Sequence, residues 1–112
     1  MGPCKVIYIQ SNKRWEIACF FLEKKQITTT NRKGNQWEIL EDNHLYMAHY
    51  QKENIETVLD ELNNIDYEDL SKDVYILSIC APSKKHQCID YLDQIEEAII
   101  RYLQEHGVKI LT

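Results

Sequence analysis

The spacing of hydrophobic residues changes once along this chain, and the change limits the folds that the chain can adopt. Between residues 44 and 50 apolar and aromatic side chains alternate, as in a half-buried strand, whereas from Asn54 they recur every 3.6 residues, as in an amphipathic helix. The apolar segment Val74–Cys80 then predicts a buried strand, and His86 to about His106 predicts a long helix ended by Gly107. Strands in the first half and helices around strands in the second predict an α+β (mixed α/β) fold.

Length and composition predict that residues 1–112 form a single domain. Hydrophobic residues make up 44% of the chain and charged residues 28%, which is the balance of a globular protein. A chain of this length buries about two-thirds of its unfolded surface, so it needs no metal or disulfide to hold a core. Strand patterns occur at residues 5–10, 27–30, 37–40, 44–50, 74–80 and 108–111. The three patterns between residues 27 and 50 are separated by turn residues, so they predict a three-stranded meander. We expect a small sheet of four to five strands, packed with two or three helices.

The segment from Arg14 to Lys25 fits either a helix or a strand. As a helix capped by Ser11 or Asn12, it places an apolar stripe on one face: Trp15, Ala18, Cys19 and Leu22. Ile17, Phe20 and Phe21 make the segment apolar nearly all round, so its periodicity does not separate the two structures.

The second half of the chain predicts a helix from about Asn54, followed by strand, helix and strand. The stripe of the first helix comprises Ile55, Val58, Leu59, Leu62 and Ile65. This order of elements favours parallel pairing of the two strands. We expect one core to contain Leu59, Leu62, Ile76, Leu77, Ile79, Ile95, Ile99 and Leu103.

The sequence carries no pattern for a membrane span, a metal site, a cofactor or a catalytic residue. No apolar run approaches the ~18 residues that a span requires, and His44 and His49 should point to opposite sides of a strand. With no sign of export, we expect a cytoplasmic protein whose four cysteines, Cys4, Cys19, Cys80 and Cys88, are free thiols.

Negative charge is concentrated in the middle of the chain. The formal net charge is -5, but residues 37–73 hold eleven acidic groups against Lys52 and Lys72 only, whereas residues 1–36 are basic overall. A negative field repels phosphate backbones and attracts cationic surfaces. We therefore expect a basic protein partner, with no direct binding of nucleic acid or membrane.

The same segment supplies the candidate partner-binding residues. An amphipathic helix normally has a charged outer face, so an ordinary solvated surface has much the same composition. This helix, however, has almost no cations within reach of its acids, and like charges at Glu56 and Asp60 repel each other. We predict a docking surface formed by Tyr50, Glu53, Glu56, Asp60, Glu61, Asp66, Tyr67, Glu68 and Asp69.

The segment from Tyr50 to Leu62 (YQKENIETVLDEL) resembles the inhibitory helix of barstar-type ribonuclease inhibitors. The resemblance covers residues 50–112, because a buried strand, a long helix, a glycine and a short strand follow in the same order. It implies that Glu56 and Asp60 are the helix acids that enter the basic active site of a ribonuclease, with Tyr50 beside them.

The leading functional prediction is a non-enzymatic inhibitor, an immunity or antitoxin-like protein that forms a heterodimer with a toxic nuclease. One alternative is a phage anti-defence protein that mimics DNA to block a host nuclease. Another, of a different class, is a small hydrolase or ligand-binding domain with a pocket near Cys80 and His86.

Overall fold

The computed structural model describes residues 2–23, 27–29, 35–54, 58 and 74–111. In chain order the elements are β1 (Cys4–Ile9), α1 (Arg14–Glu23), β2 (Ile27–Thr29), β3 (Gln36–Glu41), β4 (His44–Glu53), β5 (Val74–Cys80), α2 (His86–Glu105) and β6 (Ile110–Leu111). The α+β class is confirmed. Among the described residues the sheet has six strands, of which β6 has only two residues.

The six strands form one antiparallel sheet in the order β2-β3-β4-β5-β1-β6. The strands β5 and β6 run in the same direction, but β1 lies between them and pairs with both. The predicted parallel pairing is therefore wrong. The connection through α2 crosses over β1, so β6 pairs with β1 and not with β5. Strand β1 is rich in β-branched residues, which favour a position with a partner strand on each side.

The strands β2, β3 and β4 form the predicted meander. The β3–β4 connection is a two-residue turn in which Asp42 (φ 49°) and Asn43 (φ 63°) both adopt left-handed backbone conformations. This pair of conformations matches the right-handed twist of a hairpin, and Asn and Asp tolerate it better than most residues. Along β4 the side chains Tyr46, Ala48 and Tyr50 are buried, as the alternation predicts.

The segment Arg14–Glu23 is a helix, but the predicted stripe is not its buried face. Ile17, Phe20 and Phe21 are buried, whereas Trp15 is 73% exposed and Leu22 is 62% exposed. The helix offers two apolar faces, and the one that packs is the one that carries two phenylalanines. Phe21 stacks on Trp37 of β3 with ring centroids 5.2 Å apart, and Phe20 contacts Tyr102 of α2 at 5.5 Å.

The long helix α2 follows its predicted pattern closely. Its buried residues recur at helical spacing: Cys88, Leu92, Ile95, Ile99 and Leu103. At its end Gly107 (φ 74°) donates to the carbonyl of Gln104, and Val108 donates to that of Leu103. These two bonds define a Schellman motif, which confirms the glycine cap. No described helix is both long and apolar enough to cross a bilayer.

The sheet has a hydrophobic cluster on each face. The larger cluster packs α1 and α2 on the sheet and contains most of the predicted core: Leu77, Ile79, Ile95, Ile99 and Leu103. Ile76 is different, because it points to the opposite face and packs with Val58, Val74 and Leu111. Val58 is helical and buried there, in agreement with its predicted stripe, while Leu59 and Leu62 lie outside the described residues.

Two of the four cysteines are not free thiols. Cys4 and Cys80 form a disulfide, whereas Cys19 and Cys88 are free. The prediction of four thiols is wrong because the bridged residues are 76 positions apart in sequence and become neighbours only when β1 pairs with β5. Cys88 lies in the first turn of α2 and is fully buried.

Candidate functional site

A polar cleft lies where the β3–β4 turn meets the first turns of α2. Its volume is about 280 Å³, and its lining residues are Glu41, Asp42, His44, Tyr46, Gln87, Asp90, Tyr91 and Gln94. Glu41, Asp42 and Asp90 are acidic, and none of the described residues that line the cleft is Lys or Arg. The cleft is therefore a concave surface of negative potential.

Two short-range features fix the acidic groups in place. Asp42 and Asn43 form a left-handed turn between the paired residues Glu41 and His44. This turn places the carboxylates of Glu41 and Asp42 at the cleft. On the other wall, Asp90 lies one turn into α2, and its carboxylate is 3.2 Å from Nε2 of His86. That imidazole is almost fully solvated, so the pair contributes little stability and leaves Asp90 accessible.

Two tyrosines form the inner part of the cleft. The rings of Tyr46 and Tyr91 are in contact, with centroids 4.8 Å apart. Burial raises the pKa of Tyr46, and a hydrogen bond to the sulfur of Cys88 raises it further. Burial also raises the pKa of Tyr91, as do the charge of Glu41 and a hydrogen bond to it. Both phenols are consequently neutral at physiological pH.

The two walls of the cleft touch through polar side chains at the rim. Nε2 of Gln87 and Nε2 of His44 are 3.5 Å apart, which joins the start of α2 to the start of β4. At the same end of α2, the hydroxyl of Ser83 accepts a hydrogen bond from the amide of Lys85 and donates one to Sγ of Cys88. The Gln87–His44 contact joins the first turn of the helix to the hairpin, whereas the Ser83 contacts are local to the start of the helix.

Carboxylates at the rim and neutral aromatic rings beneath them form a binding surface for a guanidinium or ammonium group. Carboxylates accept charge-assisted hydrogen bonds from such groups, and tyrosine rings attract cations to their faces. Within the described ranges, no three His, Cys, Asp or Glu side chains are grouped so as to hold a metal ion. Carboxylates and aromatic rings together suit an organic cation.

Of the predicted docking residues the structure describes Tyr50 and Glu53, and neither lines the cleft. Glu56, Asp60, Glu61, Asp66, Tyr67, Glu68 and Asp69 lie outside the described residues. Glu53 was expected on the helix, but it is the last residue of β4, because the strand continues three residues beyond Tyr50. Its carboxylate accepts a hydrogen bond from the side chain of Gln51.

Tyr50 is buried, with 4% of its surface exposed. Its hydroxyl accepts a hydrogen bond from the amide of Lys13 and donates one to Oδ1 of Asn12, and its ring stacks on Tyr75. In this structure Tyr50 therefore ties β4 to the start of α1, and its side chain does not form part of an open surface. The resemblance implied a contacting tyrosine at this position, and the structure gives the residue an internal role.

The sequence contained a partial signal for the cleft. Glu41 and Asp42 belong to the acidic middle segment, but their pattern with Asn43 indicated only a turn. Asp90 lies on a long helix with several other acids, and nothing in the sequence marks it. Glu41 and Asp90 are 49 positions apart, so only the packing of α2 against the hairpin brings them to one site.

No protein-family model, no curated protein and no solved structure matches this chain. The resemblance to barstar-type inhibitors therefore stays a prediction from the sequence.

Proposed function

We propose that this protein is a non-enzymatic inhibitor, an immunity or antitoxin-like protein of the cytoplasm that binds a toxic nuclease in a heterodimer. The observation that carries the proposal is the acidic cleft, which Glu41, Asp42 and Asp90 line together, with no Lys or Arg among the described residues that line it. Residues 37–73 as a whole carry a net negative charge in the sequence, which favours the same class of partner.

The mechanism follows from the chemistry of the target. A nuclease active site binds phosphates, so it is rich in Arg and Lys, and an acidic surface of fixed shape can occupy it in place of the substrate. Opposite fields steer the two proteins together and raise the association rate well above that of neutral pairs. In the cleft, one basic side chain of the nuclease would pair with the carboxylates and lie against the ring of Tyr91.

The predicted docking residues around Glu56 and Asp60 belong to the same proposal as a second acidic contact. Two charge-reversed proteins separate the contributions of the two surfaces, namely Glu41→Lys with Asp90→Lys for the cleft and Glu56→Lys with Asp60→Lys for the predicted helix. Glu105→Lys is the matched control, because Glu105 is exposed on α2 about 22 Å from Asp90 along the helix axis.

The test begins with isolation of the partner from native lysate and measurement of its nuclease activity with and without this protein. We expect stoichiometric inhibition by the unmodified protein and association that slows steeply as salt is added. At least one double reversal should weaken inhibition about 30-fold or more, since breaking a desolvated charge pair costs about 2 kcal/mol or more. The control should inhibit like the unmodified protein, and thermal unfolding should show that all variants fold.

Three outcomes would contradict the proposal. The first is a partner that is a basic protein without nuclease activity, and the second is normal inhibition by both double reversals. The third is loss of binding in Arg14→Glu alone, which would place the contact on the basic N-terminal third. A partner nuclease that belongs to a host defence system would instead favour the phage DNA-mimic alternative, which uses the same surface on a different target.

The size of the cleft supports a second candidate, a domain that binds a small organic cation. A volume of about 280 Å³ accommodates a group such as arginine and little more. This cleft is not the pocket predicted near Cys80 and His86, because neither residue lines it. Cys80 is also part of the disulfide. Titration with free arginine, followed by NMR, would favour this candidate if the signals of Tyr91 and His44 saturate at submillimolar concentration.

A further inference from the structure

The disulfide joins two strand ends on the sheet face opposite α1 and α2. Cys4 is the first residue of β1 and Cys80 the last of β5, and the two are register partners with Cα atoms 4.0 Å apart. Because Ile7 and Ile79 point into the core below the helices, alternation directs Cys4 and Cys80 to the other face.

This region of the sheet face is accessible from solution. Cys4 is exposed and Cys80 is half-buried. Their neighbours in the ladder, Val6 and Met47, are 41% and 37% exposed. Cys4 is therefore open to a thiolate in solution in the folded chain, whereas the free thiol of Cys88 is fully buried.

The two strands are held together on both sides of the bridge by backbone contacts. Six residue pairs, from Cys4–Cys80 to Ile9–Tyr75, form the β1–β5 ladder. Beyond the bridge, the amide of Gly2 donates to the carbonyl of Ala81 at 3.1 Å, and the amide of Ala81 donates to that of Pro3 at 2.9 Å. Loss of the covalent link therefore leaves the pairing of these strands in place.

We infer that the Cys4–Cys80 bridge is a thiol–disulfide exchange site, which an external thiol reduces reversibly in the folded protein. Exposed disulfides exchange more readily than buried ones. The inference does not depend on the function proposed above.

The reaction takes place in two displacements. An external thiolate attacks Sγ of Cys4, a mixed disulfide forms, and the electron pair of the broken S–S bond leaves on Cys80, which takes a proton from water. A second external thiolate attacks the external sulfur of the mixed disulfide and releases Cys4 as a thiolate. In total, two thiols are oxidised to one external disulfide, and the protein bridge gains two electrons.

Reduction should loosen the connection between β5 and α2. The segments 2–4 and 80–83 are closely packed, since a Cβ atom built on Gly2 would lie 2.5 Å from the carbonyl oxygen of Ser83. Without the bridge, backbone hydrogen bonds and this packing alone hold the two segments together. We therefore expect faster amide hydrogen exchange at Ala81 in the reduced protein.

The experiment uses the full chain purified without reductant. Dithiothreitol is added, free thiols are trapped with a maleimide over time, and peptide mass spectrometry identifies the labelled cysteines, in buffer and again in denaturant. We expect labelling of Cys4 and Cys80 under native conditions at a rate within about 100-fold of the denatured rate. Circular dichroism should show retained structure, Cys88 should stay unlabelled, and removal of dithiothreitol in air should restore the bridge.

Two variants complete the design. Cys4→Ser should abolish the dithiothreitol-dependent appearance of thiols, whereas Cys19→Ser, the matched control, should leave the rate unchanged. The inference would be overturned by four thiols in the oxidised preparation, by native reduction more than about 100-fold slower than denatured reduction, or by loss of structure when the bridge is reduced.

Discussion

At the scale of single residues, the hydroxyl of Tyr50 connects two parts of the fold. It accepts a hydrogen bond from Lys13 at 2.9 Å and donates one to Asn12 at 3.2 Å, just before α1 begins. Tyr50→Phe keeps the ring stacked on Tyr75 but leaves the amide of Lys13 without this acceptor. We expect a loss of about 1–3 kcal/mol in the free energy of unfolding, measured by urea titration. No measurable loss would show that water replaces the hydroxyl.

The same residue predicts how stability depends on alkaline pH. Burial raises the pKa of Tyr50 to about 12 from its ordinary value of 10.0. Between these values the unfolded chain loses the phenolic proton while the folded protein keeps it. The free energy of unfolding should therefore fall as pH rises, by about 1.4 kcal/mol per pH unit for one such group. Below pH 10 this contribution is fully present.

Urea titrations below and within this pH window measure the effect, with Tyr50→Phe as the comparison. Tyr46 and Tyr91 also have raised pKa values, so the variant should still lose stability at alkaline pH, but with a smaller slope than the unmodified protein. Equal slopes in the two proteins would mean that Tyr50 titrates normally in the folded state.

At the scale of elements, α1 shows which of two apolar faces stabilises the protein. Ile17 is fully buried, and Leu22 is mostly exposed on the same helix. Ile17→Ala should lower the free energy of unfolding by about 2–5 kcal/mol, because it leaves a cavity in the core. Leu22→Ala should change it by less than about 0.5 kcal/mol. If Leu22→Ala lost more stability than Ile17→Ala in thermal or urea unfolding, the face that carries Leu22 would be the one that packs in solution.

The β3–β4 turn is the second element with a sharp expectation. Asn43 has a φ of 63°, a conformation in which glycine has no steric penalty and a β-branched residue has a large one. Asn43→Gly should preserve or raise the midpoint of thermal unfolding, whereas Asn43→Val should cost about 1–2 kcal/mol. Equal stability of the two variants would mean that the turn adopts another conformation.

At the scale of the whole molecule, the disulfide joins residues that are 76 positions apart and so restricts the unfolded chain strongly. The chain-entropy model gives about 4.5 kcal/mol for a loop of this size. Cys4→Ser should lose stability of that order in urea, and the unmodified protein should lose as much when reductant is present. Cys19→Ser should unfold like the unmodified protein under oxidising conditions. A reductant effect that persists in Cys4→Ser would contradict this assignment.

The sequence by itself determined the features that depend on residues a few positions apart. Alternation located β4, turn residues located the β3–β4 hairpin, and Gly107 marked the end of α2. These predictions succeed because backbone conformation and local periodicity are set by neighbours along the chain.

Tertiary structure alone decided the buried face of α1, the position of β1 between β5 and β6, the Cys4–Cys80 bridge and the meeting of Glu41 with Asp90. Each of these depends on groups that lie far apart in sequence. For such contacts a sequence with several apolar faces and several acidic segments offers more than one solution, and packing of the whole chain selects among them.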